Sequence, residues 1–178
     1  MDLDPILHEA MLTSDELPGW ATLPHQPSLG VSPFQSTDYA DCFIREAMVT
    51  LGCEETGEIL MQHVGVLEEH GASQLETDLL VPPTSTSGGE IIRESSTEAW
   101  AVRSLPVPDV GDQRIGFRLI AGFDDSRPFL ADNVYIRRGR VASALVRVDR
   151  RGAVASEAIG PLAELADRKL AVIAAKIR

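Results

Sequence analysis

Apolar and polar residues alternate through the second half of the chain, a pattern that predicts β-strands. Strands are predicted at 90–94, 98–105, 113–121, 131–138 and 141–148, and a further one at 74–81. The most specific local signal is Arg138-Gly139-Arg140, which separates two alternating runs. Because Gly139 tolerates the positive φ of a tight turn, residues 131–148 are predicted to form a hairpin within a sheet spanning 74–148.

Helical spacing dominates elsewhere in the chain. Residues 1–35 are predicted to form an N-terminal arm that contains one short helix. The segment 36–70 is predicted to be helical, with apolar residues three and four apart from Phe43 to Leu51 and a second helix over 55–69. Glycines within the second stretch weaken it, so a strand through Ile59–Leu67 is the alternative.

A closing helix is predicted over 160–178. Pro161 stands at its first turn, where the missing N–H costs nothing, and a Leu/Ile stripe follows at helical spacing. Together these elements predict an α+β fold, in which helices pack on the faces of a twisted antiparallel sheet. The whole chain, 1–178, is interpreted as one domain, because 178 residues with 44% hydrophobic content can fill a single core.

The charge of the chain bears on its partners. A net charge of -11 argues against nucleic acid as a general partner, because such binding needs a basic surface. The halves differ, with three basic and nineteen acidic residues in 1–110 against thirteen basic and eight acidic residues in 111–178. We expect the two halves to neutralise each other across one folded surface.

Localisation is left open by the sequence. No run of 18 apolar residues is present, so no membrane span is predicted. Met1–Leu12 is acidic and lacks the pattern of an export signal. The chain is therefore interpreted either as a cytoplasmic protein or as an exported one whose signal has been trimmed.

The candidate chemistry lies in the predicted hairpin. Arg137, Arg138 and Arg140 surround its turn, and Tyr135 shares a strand face with Arg137. Guanidinium groups bind carboxylates and phosphates in a bidentate manner, so these four residues are candidates for binding an anionic ligand. The alternative is an edge hairpin that its charges protect from aggregation.

The remaining candidates for chemistry are the two cysteines and the four histidines. Cys42 and Cys53 could form a disulfide, but eleven residues along one helix would separate them by roughly 16 Å, so two buried thiols are the favoured interpretation. The histidines lack metal-ligand spacing, and no nucleophile elbow, phosphate loop or dinucleotide fingerprint occurs. No catalytic residue, metal or cofactor is therefore assigned.

Four segments, taken in order, resemble a family of small exported sensor-domain proteins and lipoproteins of actinobacteria. They are MLTSDELPGW (11–20), LPVPDVGDQRIGFRL (105–119), VYIRRGRVASALVRV (134–148) and LAELADRKLAVI (162–173). The family is similar to the extracellular sensor of the mycobacterial kinase PknH. The resemblance implies a fold of the Mog1/PsbP type, whose antiparallel sheet carries helices on its faces.

The resemblance also sets the functional expectation. It implies a non-enzymatic ligand-binding or sensing domain outside the cytoplasm, held at the membrane as part of a lipoprotein or tethered protein. Its ligand would be a small molecule or a cell-envelope component. The alternatives are a cytoplasmic interaction or adaptor domain with a protein partner, and a small cofactor-free biosynthetic enzyme.

Overall fold

The computed structural model describes residues 2–24, 42–71, 90–95, 98–123, 127–149 and 159–177. Two helices lie wholly within these residues, α1 (Asp4–Ala10) and α2 (Ile159–Ala174), and residues 69–71 are also helical. Its strands are β1 (Trp20–Thr22), β2 (Phe43–Cys53), β3 (Glu58–Leu67), β4 (Glu90–Ser95), β5 (Glu98–Ser104), β6 (Gln113–Phe123), β7 (Arg127–Arg138) and β8 (Val141–Asp149). The predicted strand at 74–81 and helix start near 36 lie outside the described residues.

The strands form one antiparallel sheet in the order β1-β2-β3-β8-β7-β6-β5-β4. The chain builds β1 to β3 in sequence, crosses to the far edge for β4, and returns strand by strand until β8 pairs with β3. The sheet is open, with β1 and β4 at its edges. The α+β fold predicted from the sequence is confirmed.

Both helices pack on one face of this sheet, which we call the helix face. On β3, β8 and β7 it carries Leu60, Val64, Val66, Val141, Leu145, Val134 and Ile136. Leu7 of α1 and Leu162, Leu170 and Ile173 of α2 complete this buried cluster. The predicted Leu/Ile stripe of the closing helix therefore contacts the sheet, and at roughly 2 kcal/mol per buried side chain it is a large part of the packing energy.

The helical prediction for 36–70 is wrong, since β2 and β3 occupy most of the described part of that segment. The alternative strand through Ile59–Leu67 is confirmed. All residues of β3 from Ile59 to Leu67 are buried, so both faces of this strand are buried and, apart from Gln62 and His63, apolar, and no period of two is visible. A continuous apolar run of this kind cannot be distinguished from a buried helix by periodicity.

The hairpin prediction is confirmed at residue level. Arg138 pairs with Val141, leaving Gly139 and Arg140 as a two-residue turn. Gly139 has φ +55°, the left-handed conformation that such a turn favours. The hairpin lies in the middle of the sheet, between β6 and β3, so the interpretation of an edge hairpin protected by charge is wrong.

Candidate functional site

The arginines of the hairpin all donate to acceptors of the same chain. Arg138 forms a bidentate ion pair with Asp167 of α2, with Nε–Oδ1 and Nη2–Oδ2 distances of 2.6 and 2.7 Å. Arg140 donates from Nε and Nη2 to the carbonyl oxygen of Leu67 at 3.0 and 2.9 Å. These bonds fasten the hairpin to the closing helix and to the end of β3.

The four candidate residues are not brought together on one surface. Arg137 donates to Oε1 of Gln113 at 2.5 Å and to the carbonyl oxygen of Gly139 at 2.7 Å, on the face opposite Arg138. Tyr135 is 1% exposed within a small apolar cluster. An anion at the hairpin would have to compete with bonds that the guanidinium groups already make.

The two cysteines are buried and form no disulfide, and they lie just before β2 and at its last residue. Eleven residues of extended chain separate Cys42 from Cys53 by about 36 Å, far beyond the span of a disulfide. Hydrogen bonds from the side chain and backbone of Thr56 lower the pKa of the Cys53 thiol below its usual value.

Opposite charges do meet between the two halves of the chain. Arg147 pairs with Glu58 within the sheet. Lys169 of α2 pairs with Glu16 of the N-terminal arm, and Lys176, just after α2, pairs with Glu9 of the same arm. These three pairs agree with the expectation that the acidic and basic halves neutralise each other. Each of these three basic groups is thereby paired within the chain.

A different group of polar residues is buried on the sheet face that carries neither α1 nor α2, which we call the opposite face. Its side chains on the three central strands are Ile59, Met61 and His63 of β3, Ala142, Ala144, Val146 and Val148 of β8, and Ala131, Asn133, Tyr135 and Arg137 of β7. His63 is 8% exposed, and Asn133 and Tyr135 are each 1% exposed. Burial of these groups costs free energy unless each polar atom finds a partner.

Small side chains form the middle of this face. Ala144 lies opposite His63 on one side and opposite Tyr135 on the other, so those two residues flank it on strands β3 and β7. Two strand spacings of about 4.8 Å place their backbones roughly 10 Å apart. Two apolar clusters meet here, one around Tyr135 and one around Val146.

His63 is held by contacts on both sides. Its ring stacks on Phe43 with the centroids 6.2 Å apart, and Phe43 itself covers Gly65, where an added Cβ would lie 2.4 Å from the Phe43 ring. Nε2 of His63 lies 3.0 Å from Oε2 of Glu46, a half-exposed residue at the rim. Burial lowers the pKa of His63 below its usual value of 6.5, and this outweighs the opposing effect of Glu46.

Acidification below pH 6.5 is therefore expected to destabilise the protein through His63. A group whose pKa is depressed on folding contributes its full stability above its unfolded pKa and loses it as the pH falls towards the folded value. Urea unfolding at pH 7.5, 6.5 and 5.5 should show a decline that His63→Gln reduces. His8→Gln, at an exposed position of α1, is the matched control, and equal pH slopes in both variants would contradict the prediction.

Asn133 carries the feature that most directly indicates a ligand. Its Nδ2 donates to the carbonyl oxygen of Ala131 at 3.1 Å, which orients the amide. Its Oδ1 is buried and accepts no hydrogen bond from the part of the chain described here. An unmet buried acceptor costs about 1–3 kcal/mol, which a bound donor would recover.

Reasoning from the sequence did not find this site, although the signal was present. A two-residue turn at Gly139-Arg140 sets Ile136 opposite Ser143, so Val134 and Ile136 cannot share a face with Ala142 and Ala144. Both sets are apolar, and the hairpin must therefore be buried on its two faces. Asn133 and Tyr135 then become interior residues rather than solvent-facing ones.

Comparison with known proteins shows the fold alone. No protein-family model matches the chain, and no curated protein matches it significantly. The solved structures that are similar include the X-ray structure of an uncharacterized protein (Rv0999 ortholog) from Mycobacterium smegmatis. It is 14% identical with a TM-score of 0.57, and the alignment covers 95% of this chain and 96% of that one.

Proposed function

We propose that this chain is a non-enzymatic ligand-binding or sensing domain that works outside the cytoplasm, in an envelope-associated protein. Two lines of support are independent of each other. The sequence resembles actinobacterial sensor domains similar to that of PknH, and a protein of similar fold comes from an actinobacterium. The opposite face supplies the second, because it combines buried polar atoms with a floor of small side chains.

The single observation that carries the proposal is Oδ1 of Asn133, a buried acceptor without a donor among the described residues. It lies two residues from Tyr135 along β7 and beside Val146 of β8. An apolar surface with a few fixed polar groups is typical of small-molecule sites. We propose that the ligand binds at the buried centre of this face, between His63 and Tyr135.

Dye binding tests the proposal with defined probes. N-phenylnaphthylamine is neutral, and anilinonaphthalene sulfonate has the same ring system with a negative charge. At least one of them is expected to bind one-to-one with saturable fluorescence, and Ala144→Leu, which adds volume at the floor of the site, should weaken that binding about tenfold or more. Thermal unfolding of the variant verifies that it folds, with Ala142→Val as a second blocking variant.

Val172→Ser is the matched control for dye that attaches to exposed apolar surface. Val172 is 49% exposed on α2, which packs on the helix face of the sheet and not on the opposite face. Its replacement should therefore leave the dye affinity unchanged. Absence of saturable binding, or binding that Val172→Ser removes and Ala144→Leu spares, would overturn the proposed site. Cell fractionation of the native protein separately tests the envelope location.

A second candidate function, a cytoplasmic interaction or adaptor domain, is favoured by the cysteines. Neither forms a disulfide, whereas exported domains of this size often carry disulfides. Recovery of the native protein in the soluble cytoplasmic fraction, bound to a protein partner that co-purifies with it, would favour this function over the first.

A further inference from the structure

The N-terminal segment 2–24, which we call the strap, carries permanent charge of one sign. It holds five carboxylates and no Lys or Arg. Three of these carboxylates form ion pairs of 2.5–2.7 Å with basic groups elsewhere in the chain: Asp4 with Arg45, Glu9 with Lys176, and Glu16 with Lys169. The two lysines are the only ones in the sequence. The surface that receives the strap is therefore complementary to it in charge.

The strap also buries an apolar side. Its residues Leu7, Ala10 and Leu12 are at most 1% exposed, and Met11 is 6% exposed. Because α1 contacts α2, β2 and β3, these side chains fill a groove between the closing helix and the first long strands of the sheet. The groove side of the same cluster includes Leu51, Leu60, Val64, Leu170 and Ile173. Apolar burial supplies most of the stabilisation here, and the exposed ion pairs add a smaller contribution.

Gln62 lies in the groove and binds the main chain of the strap. It is 0% exposed. Its Oε1 accepts from the N–H of Leu12 at 2.6 Å, and its Nε2 donates to the carbonyl oxygen of Ala10 at 3.4 Å. An apolar groove that holds a short helix by its buried face, with charges at the rim, is a common way in which proteins bind amphipathic helices of a partner.

The strap does not stabilise its own structure. α1 has seven residues and no side-chain cap at its N-terminus, whereas isolated helices shorter than about 12–15 residues are marginal in water. β1 adds three residues at the edge of the sheet. The pairing of β2, β3, β8 and β7 does not involve the strap. Detachment of the strap is therefore expected to cost less free energy than global unfolding.

We propose that the strap is an autoinhibitory element, which fills in cis a groove for an acidic, amphipathic helical segment of a partner protein. The chemistry of the partner follows from the strap, whose apolar side chains meet the groove and whose carboxylates meet basic groups at its rim. Because the strap belongs to the same chain, it competes at a high effective concentration, and the partner binds when the strap is detached. The groove lies on the helix face, so this proposal is independent of the ligand site on the opposite face.

A fluorescent peptide of residues 2–24 serves as a partner segment of known fit. The wild-type chain is expected to bind it weakly, because the strap already fills the groove. Leu7→Ala in the full chain weakens the strap and leaves the groove unchanged, so this variant should bind the peptide about thirtyfold or more tightly than wild type does. Fluorescence anisotropy measures both affinities. About 0.5 M NaCl should weaken binding to the variant, because salt screens the three exposed ion pairs.

Two controls separate docking in the groove from general effects. A peptide that itself carries Leu7→Ala should bind the variant chain at least about thirtyfold more weakly than the unsubstituted peptide does. Val146→Ala truncates a side chain of the opposite face that is 1% exposed, and it should leave peptide binding as weak as in wild type. Equal binding of the two peptides, no binding by the Leu7→Ala chain, or tight binding by the Val146→Ala chain would overturn the proposal.

Amide exchange of the wild-type protein decides the question even if Leu7→Ala fails to fold. The N–H groups of Leu7, Leu12 and Leu23 are all hydrogen-bonded in the docked strap. They should share one protection factor that is lower than those of the β7–β8 hairpin. Equal protection of the two regions would show that the strap detaches only on global unfolding, and the proposal would then be wrong.

Discussion

Replacement of Arg118 by Met is expected to lower the free energy of unfolding by about 3–5 kcal/mol. Arg118 of β6 and Asp132 of β7 face each other across the sheet in a bidentate pair, with distances of 2.6 and 2.9 Å. The Asp132 side chain is 0% exposed, whereas that of Arg118 is 19% exposed. Without Arg118, a carboxylate is left buried without the partner that now compensates its charge.

The double variant Arg118→Met, Asp132→Leu separates the cost of an orphaned charge from the value of the pair itself. Replacement of a buried ion pair by apolar side chains of similar volume is often neutral, so the double variant is expected to regain most of the lost stability. Urea unfolding of wild type, both single variants and the double variant gives the coupling energy.

Arg114→Met provides the matched control on the same strand. Arg114 pairs with Asp109 at 2.6 Å, but the Asp109 side chain is 90% exposed, so this surface pair is expected to contribute at most about 1 kcal/mol. If Arg118→Met destabilises the protein no more than Arg114→Met does, the argument from the burial of Asp132 fails.

Much of the sheet could be predicted because its strands carry local signals. Turn chemistry at Gly139 and the alternation on either side of it set the β7–β8 hairpin without reference to the rest of the chain. The same holds for the closing helix, whose buried residues recur at helical spacing. The helix is thus identified by its one buried face, whereas the hairpin, buried on both faces, is identified by its turn.

β2 was predicted to be helical, and β3 was predicted as a strand only in the alternative, because the apolar residues of both strands lie on both faces. In β2, Ala47 faces the helices whereas Met48 faces away, and a register shift between Phe43 and Arg45 changes the phase of alternation. As a result, the apolar residues of β2 are spaced three and four apart, as on the buried side of a helix. Ile44, which that stripe would bury, is 44% exposed.

The candidate site depended on pairings that are remote in sequence. His63 lies beside Ala144 because β8 pairs with β3, two strands that are far apart in the sequence. Local sequence patterns do not predict this pairing. The arginines of the hairpin were predicted to bind an anion because their charge can be read directly from the sequence. Their acceptors are largely backbone carbonyls and a helix carboxylate, which become neighbours only after folding.

Gln62→Leu is expected to be the second most damaging substitution, with a loss of about 2–4 kcal/mol. Gln62 is 0% exposed on the helix face of β3. Its Oε1 accepts from the backbone N–H of Leu12 at 2.6 Å, and its Nε2 donates to Oγ of Ser143 at 3.2 Å and to the carbonyl oxygen of Ala10 at 3.4 Å. One side chain thus serves the end of α1 and the neighbouring strand.

Leucine fills nearly the same volume, so the loss should come from stranded polar groups rather than from a cavity. Ser143→Ala is the matched control: it removes the side-chain acceptor and leaves both backbone bonds, so it should cost about 1 kcal/mol or less. Because Gln62 holds the chain that follows α1, amide exchange of Leu12 should accelerate in Gln62→Leu more than exchange in the β7–β8 hairpin. Uniform acceleration across both regions would show that Gln62 stabilises the fold as a whole and does not specifically anchor α1.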